Sequence, residues 1–556
     1  MFDNAIDEIK QWPISKIAEK RDKVLEEIES ESILDFEKAY PNDEDLRAQL
    51  QKTLYLEQIR IKTESWEVDP EDEKEFWNGV KRKLLKASNT EEIEKYRQTN
   101  QLVLSEIIER YANEIIGDFS PKLYWFARQL LRRFFSRLFN SHFGGFKGLL
   151  RPQDLLVNKL IVTGHKDEML ALSKKGTIVL VPTHFSNLDS VLIGFGMDYI
   201  GMPAFQYGAG LNLFNSKFFS LFMGNLGAYK LDRRKKNPIY LETLKKFSKI
   251  NIEHGAHTIF FPGGTRSRSG AIENSLKLGL LGTVLEAQRH HFEQFPANLA
   301  PKIYVVPLTI SYNFVLEAAS LIDQYLKITG KDQYLIQSTS AVPWKSVWKF
   351  FWETFSQSSD VSLSIGKPMD VLGNYLNEDG ESIDNNGKVI ELQKYFFANG
   401  KITEDAQRES VYTAMLGEKI VKSFKINNIV YASHVVPFVA FELLKQKINT
   451  NDLFTILRIP EEEREIDWDI YRINMKIILD ALYDLNNKQK LKLSPKLTTL
   501  ELEEIIAHGM KNISIYHTNL PLLRTKEGNI TSEDLKLLYY YHNRLLGYDL
   551  EKLIRY

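Results

Sequence analysis

His184 and Asp189 stand five residues apart in THFSNLDS (183–190), directly after the apolar run TIVLVP (177–182). An alcohol is a poor nucleophile near neutral pH, so chemistry at a hydroxyl needs a base beside its proton. An imidazole whose tautomer is set by a carboxylate can be that base. Alone the pair carries little weight: with 11 histidines and aspartate at roughly one residue in twenty, about half of one such spacing arises by chance. The context is more specific. FFPGGTRSRSG (260–270) follows another apolar run and sets Gly263 and Gly264 before Arg266 and Arg268. Glycines let a backbone approach closely, and two guanidiniums around exposed amides make a clamp for a phosphate. GAYKLDRR (227–234) adds Lys230, Arg233 and Arg234, and VVPLTISYN (305–313) brings Pro307 and Tyr312 to the end of a further apolar run. No lysine precedes Thr265 and no G-x-G-x-x-G follows a strand, so nucleotide-binding loops do not fit. Ser186 as a nucleophile fits poorly as well, for there is no G-x-S-x-G turn around it.

The elements that must position these residues are short β-rich runs alternating with helical patterns. TIVLVP, TIFFP (258–262), KIYVVPLTI (302–310) and VSLSIG (361–366) read as strands, and LKKFSKINIEH (244–254) and LKLGLLGTVLEAQRHH (276–291) as intervening helices. The expectation is an α/β fold: a central domain (119–335) with a mixed sheet flanked by helices, a helical N-terminal region (1–118) and a mostly helical C-terminal region (336–556). KSVWKFFWETF (345–355) is predicted helical and the acidic stretch NEDGESIDNNGK (377–388) an exposed loop, since its spacing does not suit calcium. The run IVYASHVVPFVAFELL (429–444), interrupted by His434 and Pro437, reads as a buried helix pair.

Composition excludes other classes. A net charge of −1 with 26% charged residues gives no polycation, so no nucleic-acid partner is expected. The chain has no cysteine, which rules out disulfides, thiolate metal sites and cysteine nucleophiles. No metal is expected. The N-terminus lacks the pattern of a secretory signal, and no apolar run reaches roughly 18 residues, so contact with a membrane is expected at the surface, on its cytoplasmic face.

One segment is suited to that contact. Between Phe119 and Gln153 there is no acidic residue, while seven basic side chains interleave with aromatics. On a helical wheel Leu123, Phe126, Leu130, Leu131, Phe134 and Leu138 share one face and Arg128, Gln129, Arg132 and Ser136 the other. Trp125, Arg128, Arg132 and Phe134 are therefore the expected contacts with a membrane surface of anionic lipids.

The order of the blocks HFSNLD, GAYKLDR, FPGGTRS and VPLTISY resembles the glycerolipid acyltransferase family, whose blocks are H-x-x-x-x-D, G-x-x-x-x-x-R, F-P-E-G-T-R-S and V-P-x-x-I-x-Y. Looser likeness to the membrane-bound bacterial glycerol-3-phosphate acyltransferases lies in AGLNLFNSKFFSLFMGNLGAYKLDRR, INNIVYASHVVPFVAFELL and YYYHNRL (539–545). The resemblance implies His184 as base, Asp189 as its orienter, and Arg233, Gly264, Arg266 and Arg268 as holders of the acceptor phosphate, with Pro307 at the acyl or donor pocket. It also implies glycerol 3-phosphate as acceptor and acyl-CoA or acyl-carrier protein as donor substrate, with no permanently bound cofactor. Gly263 departs from the pattern, standing where the family block has glutamate. Competing expectations are lysophosphatidate or dihydroxyacetone phosphate as acceptor, and a catalytically silent lipid-binding protein of the membrane surface.

Overall fold

The computed structural model describes residues 2–88, 93–140, 160–211, 224–329, 361–515 and 517–556; within the helix Pro121–Asn140 the side chains at 131, 132 and 134–140 also lie outside the described residues. The predicted helix at 345–355 falls outside them too.

Seven strands form the central sheet: β1 (Leu160–Gly164), β2 (Gly176–Pro182), β3 (Gln206–Gly210), β4 (Ala228–Leu231), β5 (Thr258–Ile259), β6 (Lys302–Tyr312) and β7 (Val361–Ile365), in the order β1-β7-β6-β2-β5-β3-β4. β2 lies at the centre. Its residues Thr177 to Pro182 are all buried, as expected of a β-branched run covered on both faces. The strands from β2 to β6 are mutually parallel, and β7 runs antiparallel to β6. The sheet is thus mixed and flanked by helices, with helical regions at both ends of the chain. Parallel strands present their carboxyl ends along one edge, where an open α/β sheet collects its ligands.

Among the described residues seven helices precede β1, from Phe2–Lys10 to Pro121–Asn140. Ile107 and Tyr111 of Ile93–Ile115 share a buried cluster with Ile239, Tyr240 and Phe247 of the helix Pro238–Glu253 and with Tyr229 of β4, so the N-terminal region packs on a helix that flanks the sheet and on its edge strand. The C-terminal helices join the main core, where Val435 and Phe438 cluster with sheet residues.

Two local expectations are corrected. The strand at 258–262 stops at Ile259, because Gly264 donates its N–H to the Phe261 carbonyl at 3.0 Å and turns the chain there. The run 429–444 is a two-residue strand, Ile429–Val430, followed by one helix, Ala432–Lys447, rather than two helices. Pro437 lies inside that helix; burial along Ala432 to Leu444 offsets the one backbone bond it forfeits. His434 accepts from the Tyr431 N–H at 3.2 Å and so helps to start the helix. Among the described residues no helix is long and apolar enough to cross a membrane.

Candidate active site

The loop leaving β2 folds back on the first residue of the helix Asp189–Tyr199. Asp189 is fully buried, and its Oδ2 accepts from the main-chain N–H groups of Phe185 (2.7 Å) and Ser186 (3.0 Å) and from the His184 ring at Nδ1 (2.7 Å). The Tyr312 hydroxyl, at the end of β6, donates to Oδ1. A helix N-terminus favours this negative charge. A carboxylate already receiving donors on every side requires the proton on Nδ1 of His184, which leaves Nε2 as the lone-pair nitrogen. Nε2 has no protein partner among the described residues, and the ring stacks on Phe261 with centroids 4.1 Å apart. An imidazole held in this way can accept a proton at Nε2.

The basic turns arrive at the same edge, Arg233 after β4 and Arg266 and Arg268 after β5. The Arg233 guanidinium is held below its usual range by burial and then by the charges of Arg266 and Arg268. Three like charges therefore converge, and neither Arg233 nor Arg268 pairs with a carboxylate among the described residues. An anion would relieve that repulsion. The turn is tied to the base: Ser267 donates its N–H to the His184 carbonyl at 2.7 Å. Glu317 completes the link, accepting from Ser186 Oγ (3.0 Å), from the Asn187 N–H (3.0 Å) and from Arg266 Nη1 (3.1 Å).

Residues 162–311 match the family profile described as Acyltransferase. The chain is also similar to proteins named glycerol-3-phosphate acyltransferase: 23% identical over 257 residues to that of Pseudoalteromonas atlantica, covering 46% of this chain and 28% of the relative. The corresponding figures are 25% over 251 residues for Pseudomonas paraeruginosa, with 45% and 27% covered, and 24% over 302 residues for Pseudomonas savastanoi pv. phaseolicola, with 54% and 31% covered. The chain is thus similar to the glycerolipid acyltransferase family over its central domain. The match spans less than a third of the length of each of these relatives.

The structure brings together His184, Asp189, Arg233, Arg266 and Arg268, and it commits other expected residues to the fold. Gly264 has a positive φ of 72° and spends its N–H inside the turn, so it shapes the arginine loop instead of offering an amide to phosphate. Lys277, not singled out in the sequence, lies across it: a Cβ on Gly264 would come within 2.6 Å of the Lys277 side chain. Pro307 is buried inside the sheet opposite Val181, its carbonyl accepting from the Gly366 N–H at 2.8 Å. Ser186 is buried with its hydroxyl committed to Glu317.

The helix Pro121–Asn140 keeps the two faces of the wheel but turns the Arg128 side toward the protein. Arg128 turns inward to an ion pair with Asp198, and Trp125 packs against the cluster of Ile9, Ile14, Phe119 and Ala204. The outward face is apolar: Leu123, Phe126 and Leu130 are 37%, 56% and 45% exposed. The side chains of Arg132 and Phe134 lie outside the described residues.

Other residues support the site through contacts that the sequence blocks do not announce. Arg234 pairs with Asp232 and Asp69 and lies 4.1 Å over the Trp66 ring, and Lys235 pairs with Glu114. The N-terminal helical region thus anchors the turn that carries Arg233. From the C-terminal region, Arg544 sits 4.2 Å over the Phe185 ring and donates to the Ile310 carbonyl at 2.7 Å, bracing the base loop from behind. Burial pulls its guanidinium down to about 10.

Proposed function

We propose that this acyltransferase moves a fatty acyl group from acyl-CoA or acyl-carrier protein onto a hydroxyl of glycerol 3-phosphate. The observation that carries the proposal is a carboxylate-braced imidazole with an open Nε2, hydrogen-bonded through its main chain to a turn where three guanidiniums converge. The arginines hold the acceptor phosphate and set its hydroxyl at His184 Nε2. His184 takes the hydroxyl proton as the oxygen attacks the thioester carbonyl. The tetrahedral intermediate then collapses, the C–S bond breaks, and the imidazolium returns its proton to the departing thiolate. Asp189 stabilises the imidazolium between those two steps. The names of the relatives support glycerol 3-phosphate as acceptor.

Attachment is peripheral, on the cytoplasmic face of a membrane, through the exposed stripe of Leu123, Phe126 and Leu130, with Lys122 and Arg133 exposed alongside it. Acyl donors and lyso-lipid products partition to that surface, which favours a reaction carried out there.

Purified protein incubated with a thioester donor and, separately, glycerol 3-phosphate, lysophosphatidate and dihydroxyacetone phosphate, with products identified by mass spectrometry, tests the acceptor. Preferential formation of acyl-glycerol 3-phosphate is expected. A product from either other acceptor alone would reassign the substrate, and no release of free thiol with any of them would leave a lipid-binding protein. Replacing Leu123, Phe126 and Leu130 together by serine is expected to release the protein from anionic vesicles in a sedimentation assay.

A further inference from the structure

A second carboxylate lies behind His184. Glu273 sits ten residues beyond Gly263, between the arginine turn and the helix Gly279–Gln294. Its Oε1 accepts the main-chain N–H of His184 at 3.1 Å. Its Oε2 is shut off from solvent and has no hydrogen-bond partner among the described residues. A Cβ built on Gly263 would lie 3.2 Å from Oε1 and 3.3 Å from Cγ of this same side chain. The carboxylate therefore fills the space in which a side chain at position 263 would begin.

We propose that Glu273 is a positioning residue for His184, and that position 263 is glycine because any larger side chain there would push the Glu273 carboxylate off the His184 main chain. The proposal rests on His184 acting as the base of acyl transfer. It accounts for the departure at Gly263, where the resembling family block carries glutamate: the carboxylate reaches the loop from the other side of the turn. A second carboxylate there would crowd the first, since the contact is already tight, and like charges at that separation repel. A carboxyl group left half-satisfied in a buried position is costly to the fold. Burial pushes this one up to about 7. Anchoring His184 is a return for that cost, because a shift of the main chain would move Nε2 away from the acceptor hydroxyl.

The test is a cycle of Glu273→Ala, Gly263→Glu and the double variant, in the full chain, read by kcat, acceptor KM and melting temperature. Glu273→Ala is expected to lower kcat at least about tenfold with acceptor KM changed less than about threefold, the signature of a misplaced base with an intact phosphate site. Gly263→Glu is expected to lower both kcat and melting temperature by crowding, and the double variant to recover to within about threefold of the parent kcat, a strongly non-additive cycle. Glu273→Gln keeps an acceptor at Oε1 and is expected to stay within about threefold of the parent, which also serves if Glu273→Ala does not fold. A double variant no better than the worse single, or a Gln variant as impaired as Ala, would overturn the proposal. If the parent transfers no acyl group to any acceptor, the functional reading fails separately. The melting-temperature cycle then decides alone whether the two positions compete for one space, recovery in the double variant supporting the proposal and additive losses overturning it.

Discussion

Replacing Asp189 by asparagine removes one negative charge while keeping the shape of the side chain, which makes it the sharpest probe of the base. The remaining oxygen can still accept from Phe185 and Ser186 N–H and from the His184 ring, and the new amide can donate to the Tyr312 oxygen. The loop and the tautomer are thus retained, and the melting temperature is expected to fall by no more than about 5 °C. The lost quantity is the attraction between carboxylate and imidazolium. With 2.7 Å between Nδ1 and Oδ2, the charge centres lie about 4 Å apart, worth about 4 kcal/mol at an effective dielectric of about 20. The amide dipole retains a part of this, so kcat should drop by about two to three orders of magnitude. Acceptor KM should stay within about threefold, because in the proposed mechanism the arginines and not this pair bind the phosphate. The assay is continuous thiol release from acyl-CoA with glycerol 3-phosphate varied, on protein whose melting curve is recorded in parallel. A folded Asp189→Asn protein with kcat within about fivefold of the parent would refute the assigned role.

Arg233→Gln should raise the acceptor KM at least about tenfold with little change in kcat. Its melting temperature should not fall, since one of three mutually repelling guanidiniums is removed, and inorganic phosphate should stabilise it less than the parent in a thermal-shift measurement. Ser186→Ala should keep kcat within about threefold while losing about 1–3 kcal/mol of stability, because Glu317 and the Leu188 N–H lose a partner; abolished turnover in a folded protein would restore the serine as nucleophile. Glu273 binds its proton more tightly in the folded chain, at about 7, than at the ordinary 4.5. The stability it contributes is therefore full below pH about 4.5 and lost as pH rises through about 7. Glu273→Gln removes that dependence, so its stability relative to the parent, followed by denaturation between pH 5 and 8, should climb with pH by at most about 3 kcal/mol.

Some of this was open to inspection in the residue string. β2 and β6 are runs of β-branched and aliphatic side chains, and a strand buried on both faces must be written that way whatever its neighbours. The His184 to Asp189 spacing is short enough that one loop and the first turn of a helix bring the two side chains together, so their contact is a local property. Arg266 and Arg268 likewise sit on a turn whose glycines announce it.

Chain order could not say that these local pieces meet. Arg233 reaches Arg266 and Arg268 only because β4, β3, β5 and β2 lie side by side and parallel, a hydrogen-bonding order that no single segment encodes. The face of the helix Pro121–Asn140 that turns outward was decided by Asp198, which draws Arg128 inward. Pro307 and Gly264 look like site residues when read as blocks, but the packed sheet buries one and the turn consumes the amide of the other. Glu317 and Glu273 carry no motif at all, and Arg544, though inside YYYHNRL, has no role that its span announces, for all three act through distances set by folding and not by spacing. Local spacing therefore determined which groups can do acid–base and phosphate chemistry. The tertiary structure decided which of them share a site, because burial and through-space charge depend on neighbours distant along the chain.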